Sequence, residues 1–317
     1  MSGGDAWLDR AAARRWFERA AAGAEDPVAR EVEHRMASRL DFVKHAPARI
    51  VDVGAGSGTS AALLRERYPG ADIVLADFAR APRAREAPSF AARLRSAFGA
   101  AREHIVRADM DALPLASGRC GMLWSNLALA WSPDPAVTLR EWHRVLEVGG
   151  LLMFTSYGPD TLKELRAAFA AAGDTAAHVH PFVDMHDLGD ALVAAGFADP
   201  VMDIDLLTVT YARPEDLFRD LRATGQRNAN ERRPRTLGGR TRWERMRAAY
   251  AAAARDGRVP ATFEIVYGHA WKAAPRKLAD GRAIIRVDRA PRSRKSDCFW
   301  AVTRRVRLAG RGCRVLP

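Results

Sequence analysis

The sequence predicts an α/β fold: a doubly wound, mostly parallel sheet of seven strands, with helices ahead of it and a helical insertion before the last strand. Three observations carry that expectation. Residues 49–157 alternate apolar strand-like runs with helical stretches, the pattern of a parallel sheet whose crossovers are helices. The first run, Ile50-Val51-Asp52-Val53-Gly54-Ala55-Gly56-Ser57-Gly58, ends in an acid and then in glycines at alternate positions. Such a bare bend lets a ligand approach the backbone closely. Some fifty residues separate the sixth strand from the seventh, which is too long for a plain connection.

The elements follow in order. Residues 5–47 read as helices, because Trp16, Phe17, Ala20 and Ala21 recur at helical spacing and residues 28–42 do likewise. Residues 1–48 are therefore expected as a leading helical segment, either part of a lid or packed outside the sheet, before a main domain at 49–288. Ile50–Val53 is the first strand, Asp72–Asp77 the second, His104–Ala108 the third and Cys120–Ser125 the fourth. A helix from Pro135 to Leu146 is expected to close at Gly149-Gly150, with Leu151–Ser156 as the fifth strand. Helices follow at 160–172, with Asp160 near the amino end, and at 184–195, ended by Gly196. Val201–Tyr211 alternates as a sixth strand, and Ala261–Trp271 is the seventh. Between them, Pro214–Ala223 and Arg240–Ala254 read as two helices of an insertion at about 213–260 that covers the site. Residues 289–317 are basic and without periodicity, and are expected to form a poorly ordered tail.

Composition narrows the partners. Of the 317 residues, 48% are apolar, enough for a sizeable core. The formal net charge of +12 is unevenly placed: residues 1–210 hold 23 Lys+Arg against 28 Asp+Glu, and residues 211–317 hold 27 against 10. A basic half implies an acidic partner, either nucleic acid or an acidic protein carrying a tethered substrate, and electrostatics alone favours neither. The three cysteines, Cys120, Cys298 and Cys313, are odd in number and lack metal-type spacing, so neither a disulfide framework nor a metal site is expected. The start, Met1-Ser2-Gly3-Gly4-Asp5, lacks the layout of a secretory signal and no apolar run approaches a membrane span, so a cytoplasmic protein without a membrane partner is expected.

Glycine spacing decides the ligand. A dinucleotide fingerprint wants glycines at 54, 56 and 59, but position 59 is Thr59 and the third glycine comes one residue early, at Gly58. That shorter pattern, with Asp52 ahead of it, resembles the first motif of class I S-adenosylmethionine-dependent methyltransferases. Their cofactor joins an amino acid to a nucleoside and has no pyrophosphate. Asp77, 19 residues after Gly58, stands where a carboxylate would accept both ribose hydroxyls. The resemblance places the adenine at Asp109 and Met110, after the third strand. The fourth strand runs into Asn126 and Leu127. Candidate contacts to S-adenosyl-L-methionine are thus Asp52, Gly54, Gly56, Gly58, Asp77, Asp109, Met110, Asn126 and Leu127 on a Rossmann-like sheet.

The resemblance sharpens over the rest of the chain. Ser125–Trp131, Phe154–Leu165, His180–Asp190 and Tyr267–Lys272 look like the malonyl-acyl carrier protein O-methyltransferases of biotin synthesis, over roughly residues 14–288. That family usually carries an aromatic hydroxyl residue near position 24, where this chain has Ala24. The resemblance implies methyl transfer to a free carboxylate on an acidic acyl carrier protein. A carboxylate is already ionised at neutral pH, so no general base is required. What the pocket does require is a cation, because an unpaired buried anion is costly. Arg219 and Arg222, at i and i+3 on the insertion's first helix, are the candidates, with Arg219 first by alignment with the family pattern. Trp131 and Tyr157 follow the fourth and fifth strands and should border the transfer site. His180, His186 and His269 are read as structural. Rival readings are a class I methyltransferase acting on RNA or another small acid, a cofactor-binding hydroxylase of respiratory-complex assembly with the same fold, and a cofactor-binding scaffold without turnover. Nucleic acid is the discriminating partner, through a steep salt dependence.

Overall fold

In a computed structural model, described for residues 7–20, 24, 26–56, 58–79, 102–235 and 239–274, apolar runs of the sequence become the central strands of one sheet. Its strands are β1 (Arg49–Val53), β2 (Asp72–Asp77), β3 (Glu103–Arg107), β4 (Cys120–Ser125), β5 (Leu146–Tyr157), β6 (Ala198–Tyr211) and β7 (Val259–Trp271). They lie in the order β3-β2-β1-β4-β5-β7-β6. The first five are parallel, whereas β7 runs antiparallel to both β5 and β6. The central strands β1, β2 and β4 are buried along nearly their whole length, as strands covered on both faces require, whereas the edge strands β3 and β6 are partly exposed. Ile50, Met122 and Trp124 belong to one core, with Met36 and Leu64, while Val51, Val53 and Leu123 belong to the other, with Leu139 and Trp142.

The helices are α1 (Arg10–Glu18), α2 (Pro27–Arg39), α3 (Ser60–Arg67), α4 (Pro135–Val145), α5 (Lys163–Ala171), α6 (Met185–Ala194), α7 (Pro214–Ala223) and α8 (Arg240–Ala252). Asp9, Asp26, Asp134 and Asp184 cap α1, α2, α4 and α6, each accepting a backbone N–H of the first turn. The insertion helices α7 and α8 join the first core through Leu217, Met246 and Tyr250, alongside Leu165 and Ala168 of α5.

Two expectations are corrected. Gly149-Gly150 does not stop a helix: α4 ends at Val145 and β5 begins at Leu146. The glycines sit inside β5, where the pairing jumps from Cys120↔Leu146 to Met122↔Leu151. Gly149 takes φ +81°, and its N–H bonds to Lys272 O at 2.8 Å. This is a bulge, and glycine supplies the backbone it needs. The helix expected from Asp160 starts three residues later as α5, behind Leu162 in the left-handed region at φ 55°. Asp160 instead pairs with Lys163 at 2.8 Å.

The described residues up to Ala274 form one compact unit, so the leading helices and the sheet share it. The expected boundary at 288 and the tail at 289–317 lie outside the described residues. Among the described residues, no helix is long and apolar enough to cross a membrane.

Candidate active site

The glycine bend and the carboxylate at the end of β2 meet at the tips of β1 and β2. Gly54, Gly56 and Gly58 adopt φ of +76°, +49° and +76°, conformations open to glycine. The Gly54 N–H bonds to Ala76 O at 2.8 Å, locking the bend onto the end of β2. From the bend, the Gly56 N–H donates to Asp77 Oδ2 at 2.9 Å, and the Ala79 N–H donates to Oδ1 at 2.8 Å. Burial pushes the Asp77 carboxyl up from its ordinary range, against those two donors. Each Asp77 oxygen keeps acceptor capacity for a further hydroxyl. A Cβ added at Gly54 would fall inside contact distance of Ala128 Cβ, so the bend leaves room there only for bare backbone. An acceptor-only carboxylate beside a side-chain-free bend fits the ribose and amino-acid portions of a nucleoside-bearing cofactor.

The other cofactor candidates surround this corner in different ways. Asp52 is buried beneath the bend and accepts the Ser60 hydroxyl at the start of α3, so it supports the loop from below. Asp109 receives Arg10 of α1, whose second nitrogen reaches Asp111 at 2.8 Å. Met110 packs against both cores. Asn126 is spent on protein partners: its Nδ2 donates to Ala29 O of α2 at 2.9 Å, and its Oδ1 accepts from Thr155 Oγ1 at 2.8 Å. Leu127 sits at φ 58° with its N–H donating to Thr155 Oγ1 at 2.8 Å. These bonds fasten α2 to the tips of β4 and β5.

Beyond those tips opens a cavity of about 260 Å³ walled by β5, α5, the 178–182 loop and the insertion. Trp131 and Tyr157 both line it. Trp131 stands edge-on to Phe17 of α1 and to His180, each at 4.7 Å between ring centroids. The Tyr157 hydroxyl donates to Gln226 Oε1 at 3.2 Å, and Gln226 Nε2 donates to Asp26 at the head of α2. Burial pushes both the Tyr157 phenol and the Asp26 carboxyl upward.

The two candidate arginines part company. Arg222 lines the cavity and has no carboxylate partner among the described residues. Arg219 is not in the wall: its side chain is 63% exposed and pairs with Asp216 on its own helix at 2.9 Å. The i, i+3 spacing places both on one side of α7, but only the position one turn further on reaches the opening.

Several lining residues had drawn no functional reading. Phe218 and Trp243 meet at 5.2 Å across α7 and α8 at the cavity wall. Arg227 lies over the Trp16 ring at 4.0 Å. His178 stacks on Phe169 at 3.6 Å and faces Asp174 at 3.0 Å. The polar run Gln226-Arg227-Asn228 after Gly225 was the available signal, and it looked like an ordinary loop.

His180 is 6% exposed between Trp7, Trp131 and Phe182, and burial pushes its imidazole down to about 4. In the unfolded chain a histidine titrates near 6.5, so as pH falls the unfolded state binds the proton first. Stability held above pH ~6.5 is therefore expected to decline as pH drops toward ~4, by up to about 3 kcal/mol for this one group. Urea unfolding at pH 7.5 and 4.5 checks this, with His180→Gln flattening the difference.

The sequence family described as a methyltransferase domain matches residues 51–154. A protein of Laribacter hongkongensis named malonyl-[acyl-carrier protein] O-methyltransferase is 51% identical over 288 residues, 88% of this chain and 96% of that protein. A protein of the same name from Gallionella capsiferriformans is 46% identical, over 88% of this chain and 97% of its own length. Among solved structures, a candidate methyltransferase of Bacillus halodurans matches 77% of this chain and all of its own, with TM-score 0.51 and 16% identity, a likeness of fold. With half the residues identical to a relative across nearly its whole length, insertion included, the chain belongs to the malonyl-[acyl-carrier protein] O-methyltransferase family.

Proposed function

We propose that this chain methylates the free carboxylate of a malonyl group carried as a thioester on an acidic acyl carrier protein, at the start of biotin synthesis in the cytoplasm. The observation that carries the reading is the identity with proteins of that name over 88% of the chain, extending through the insertion that walls the cavity. S-adenosyl-L-methionine, when bound, supplies an electrophilic methyl on a sulfonium.

The chain's own residues divide the remaining work. Asp77 accepts the ribose hydroxyls, and the bend at Gly54, Gly56 and Gly58 admits the amino-acid end. Asp109 and Met110 border the base. Asp52 holds the bend from beneath, and Asn126 and Leu127 fix the tips of β4 and β5. Trp131 and Tyr157 flank the reacting oxygen and keep water from it. Rate then comes from placing two groups and from dehydrating the carboxylate rather than from proton transfer.

Arg222, at the wall, takes the malonyl carboxylate in a charge-assisted pair. Arg219, exposed on the same face, meets the carrier at the rim. The insertion is rich in arginine between positions 213 and 258 and poor in acids, which suits an acidic partner arriving by electrostatic steering.

The test is incubation of malonyl-carrier protein with methyl-labelled cofactor, followed by mass spectrometry. One added methyl per carrier, released as labelled methanol on hydrolysis, is expected. No label on the carrier, with transfer to RNA instead, would overturn the reading.

A further inference from the structure

His180 carries more chemistry than packing requires. The Ala229 backbone N–H points at its Nε2 at 3.0 Å. A backbone amide only donates, so Nε2 must be the unprotonated acceptor, and the proton of the neutral ring sits on Nδ1. The low basicity of the buried ring agrees with that neutral form. No acceptor among the described residues takes the Nδ1 proton. Nor is Nδ1 among the fully buried side-chain nitrogens and oxygens left without a partner in the described residues. The ring lines the cavity, and its Nδ1 keeps some exposure, so the cavity is the side from which a ligand would meet it.

A malonyl thioester brings three oxygens into such a space. Two belong to the carboxylate, of which one attacks and both are held by a cation. The third is the thioester carbonyl, an uncharged acceptor that needs an uncharged donor. Phe182 beside the ring offers that oxygen no donor, and a largely buried imidazole raises the worth of one good hydrogen bond.

We propose that His180, held in the Nδ1–H tautomer by the Ala229 amide, donates to the thioester carbonyl and so positions the malonyl group for attack. This rests on the proposed substrate. It makes His180 a residue that selects 3-oxo thioester acids over carboxylates lacking that carbonyl, and it gives the 178–182 loop a reason to face the cavity.

Two variants and two substrates test it. Glutamine at 180 places its amide oxygen near the Nε2 position, keeping the acceptor for Ala229 while losing the donor. Asparagine places an amide nitrogen near Nδ1, keeping the donor while losing the acceptor. The substrates are malonyl-carrier protein and its thioether analogue, in which a CH₂ replaces the thioester carbonyl. Wild type is expected to prefer the thioester by roughly 10- to 100-fold in kcat/KM, the usual range for leaving a buried donor unpaired. His180→Gln should lose about that factor on the thioester and nothing on the thioether, with cofactor affinity unchanged by calorimetry. His180→Asn should melt lower yet keep the thioester preference. Equal loss on both substrates in His180→Gln, or no loss, overturns the role. If wild type binds cofactor but methylates neither substrate, the proposed function fails and this inference with it.

Discussion

Gly54→Ala is expected to abolish measurable cofactor binding. The new Cβ meets two obstacles at once. At φ +76° an alanine pays about 1 kcal/mol for left-handed backbone. The methyl would also be driven into Ala128, which is 9% exposed on the segment joining β4 to Trp131, and overpacking of that kind costs about 1–3 kcal/mol. Relief by moving the bend would break the Gly54 N–H bond to Ala76 and shift the Gly56 N–H off Asp77. The ribose acceptor and the bend would then separate, so the loss should exceed 100-fold in cofactor affinity, together with a Tm lower by several degrees. Gly56→Ala is the control. Its Cβ would find no protein atom nearer than Gly54 O at 3.8 Å, so its Tm should fall less than that of Gly54→Ala, by the backbone cost at φ +49° alone. Calorimetry with S-adenosyl-L-methionine and thermal unfolding read both. A Gly54→Ala protein that binds cofactor within threefold of wild type would remove the bend from its assigned place.

The glycine bend and the strand tips around it were legible because their signals are local. Apolar runs ending in Asp52, Asp77 and Asp109, and three glycines in step, mark strand tips without any knowledge of what lies opposite them. The sheet's reversal at β7 was not legible, since alternation in 259–271 fits a parallel or an antiparallel neighbour equally. Gly149-Gly150 misled for a related reason: a glycine pair signals positive φ, and both a helix stop and a bulge need it. The substrate side was the least readable. Its wall is assembled from α5, the 178–182 loop, α7, α8 and Gln226–Asn228, segments brought together only by the fold. His180 is read as structural in the sequence because the amide that faces its Nε2, and so sets its tautomer, belongs to a residue 49 positions away. The leading helices proved closely tied to the site, through Arg10 to Asp109, Phe17 to Trp131 and Ala29 to Asn126. Ala24, at the place of the family's aromatic hydroxyl, gave no hint of those contacts.

Arg222→Ala should raise the KM for malonyl-carrier protein by roughly 10- to 100-fold while leaving cofactor affinity unchanged. A charge-assisted hydrogen bond is worth about 1.5–3 kcal/mol, and, with Arg222 exposed until the carrier covers the opening, its removal leaves the malonyl carboxylate to be covered unpaired. Arg222→Lys should recover only part of the loss, because an ammonium cannot make the bidentate pair that a guanidinium makes. Arg219→Ala gives the contrast. Its guanidinium is exposed and already faces Asp216, so its loss should cost no more than about threefold and only at low salt, where the attraction of a basic rim for an acidic carrier is unscreened. The position one helical turn along α7 thus separates recognition of the carboxylate from recognition of the carrier. Steady-state kinetics at 20 mM and 300 mM salt distinguish the two roles: salt should erase the Arg219 effect and spare most of the Arg222 effect. A salt-independent KM defect in Arg219→Ala, with Arg222→Ala near wild type, would exchange their assignments and require α7 to rotate Arg219 into the cavity when the carrier docks.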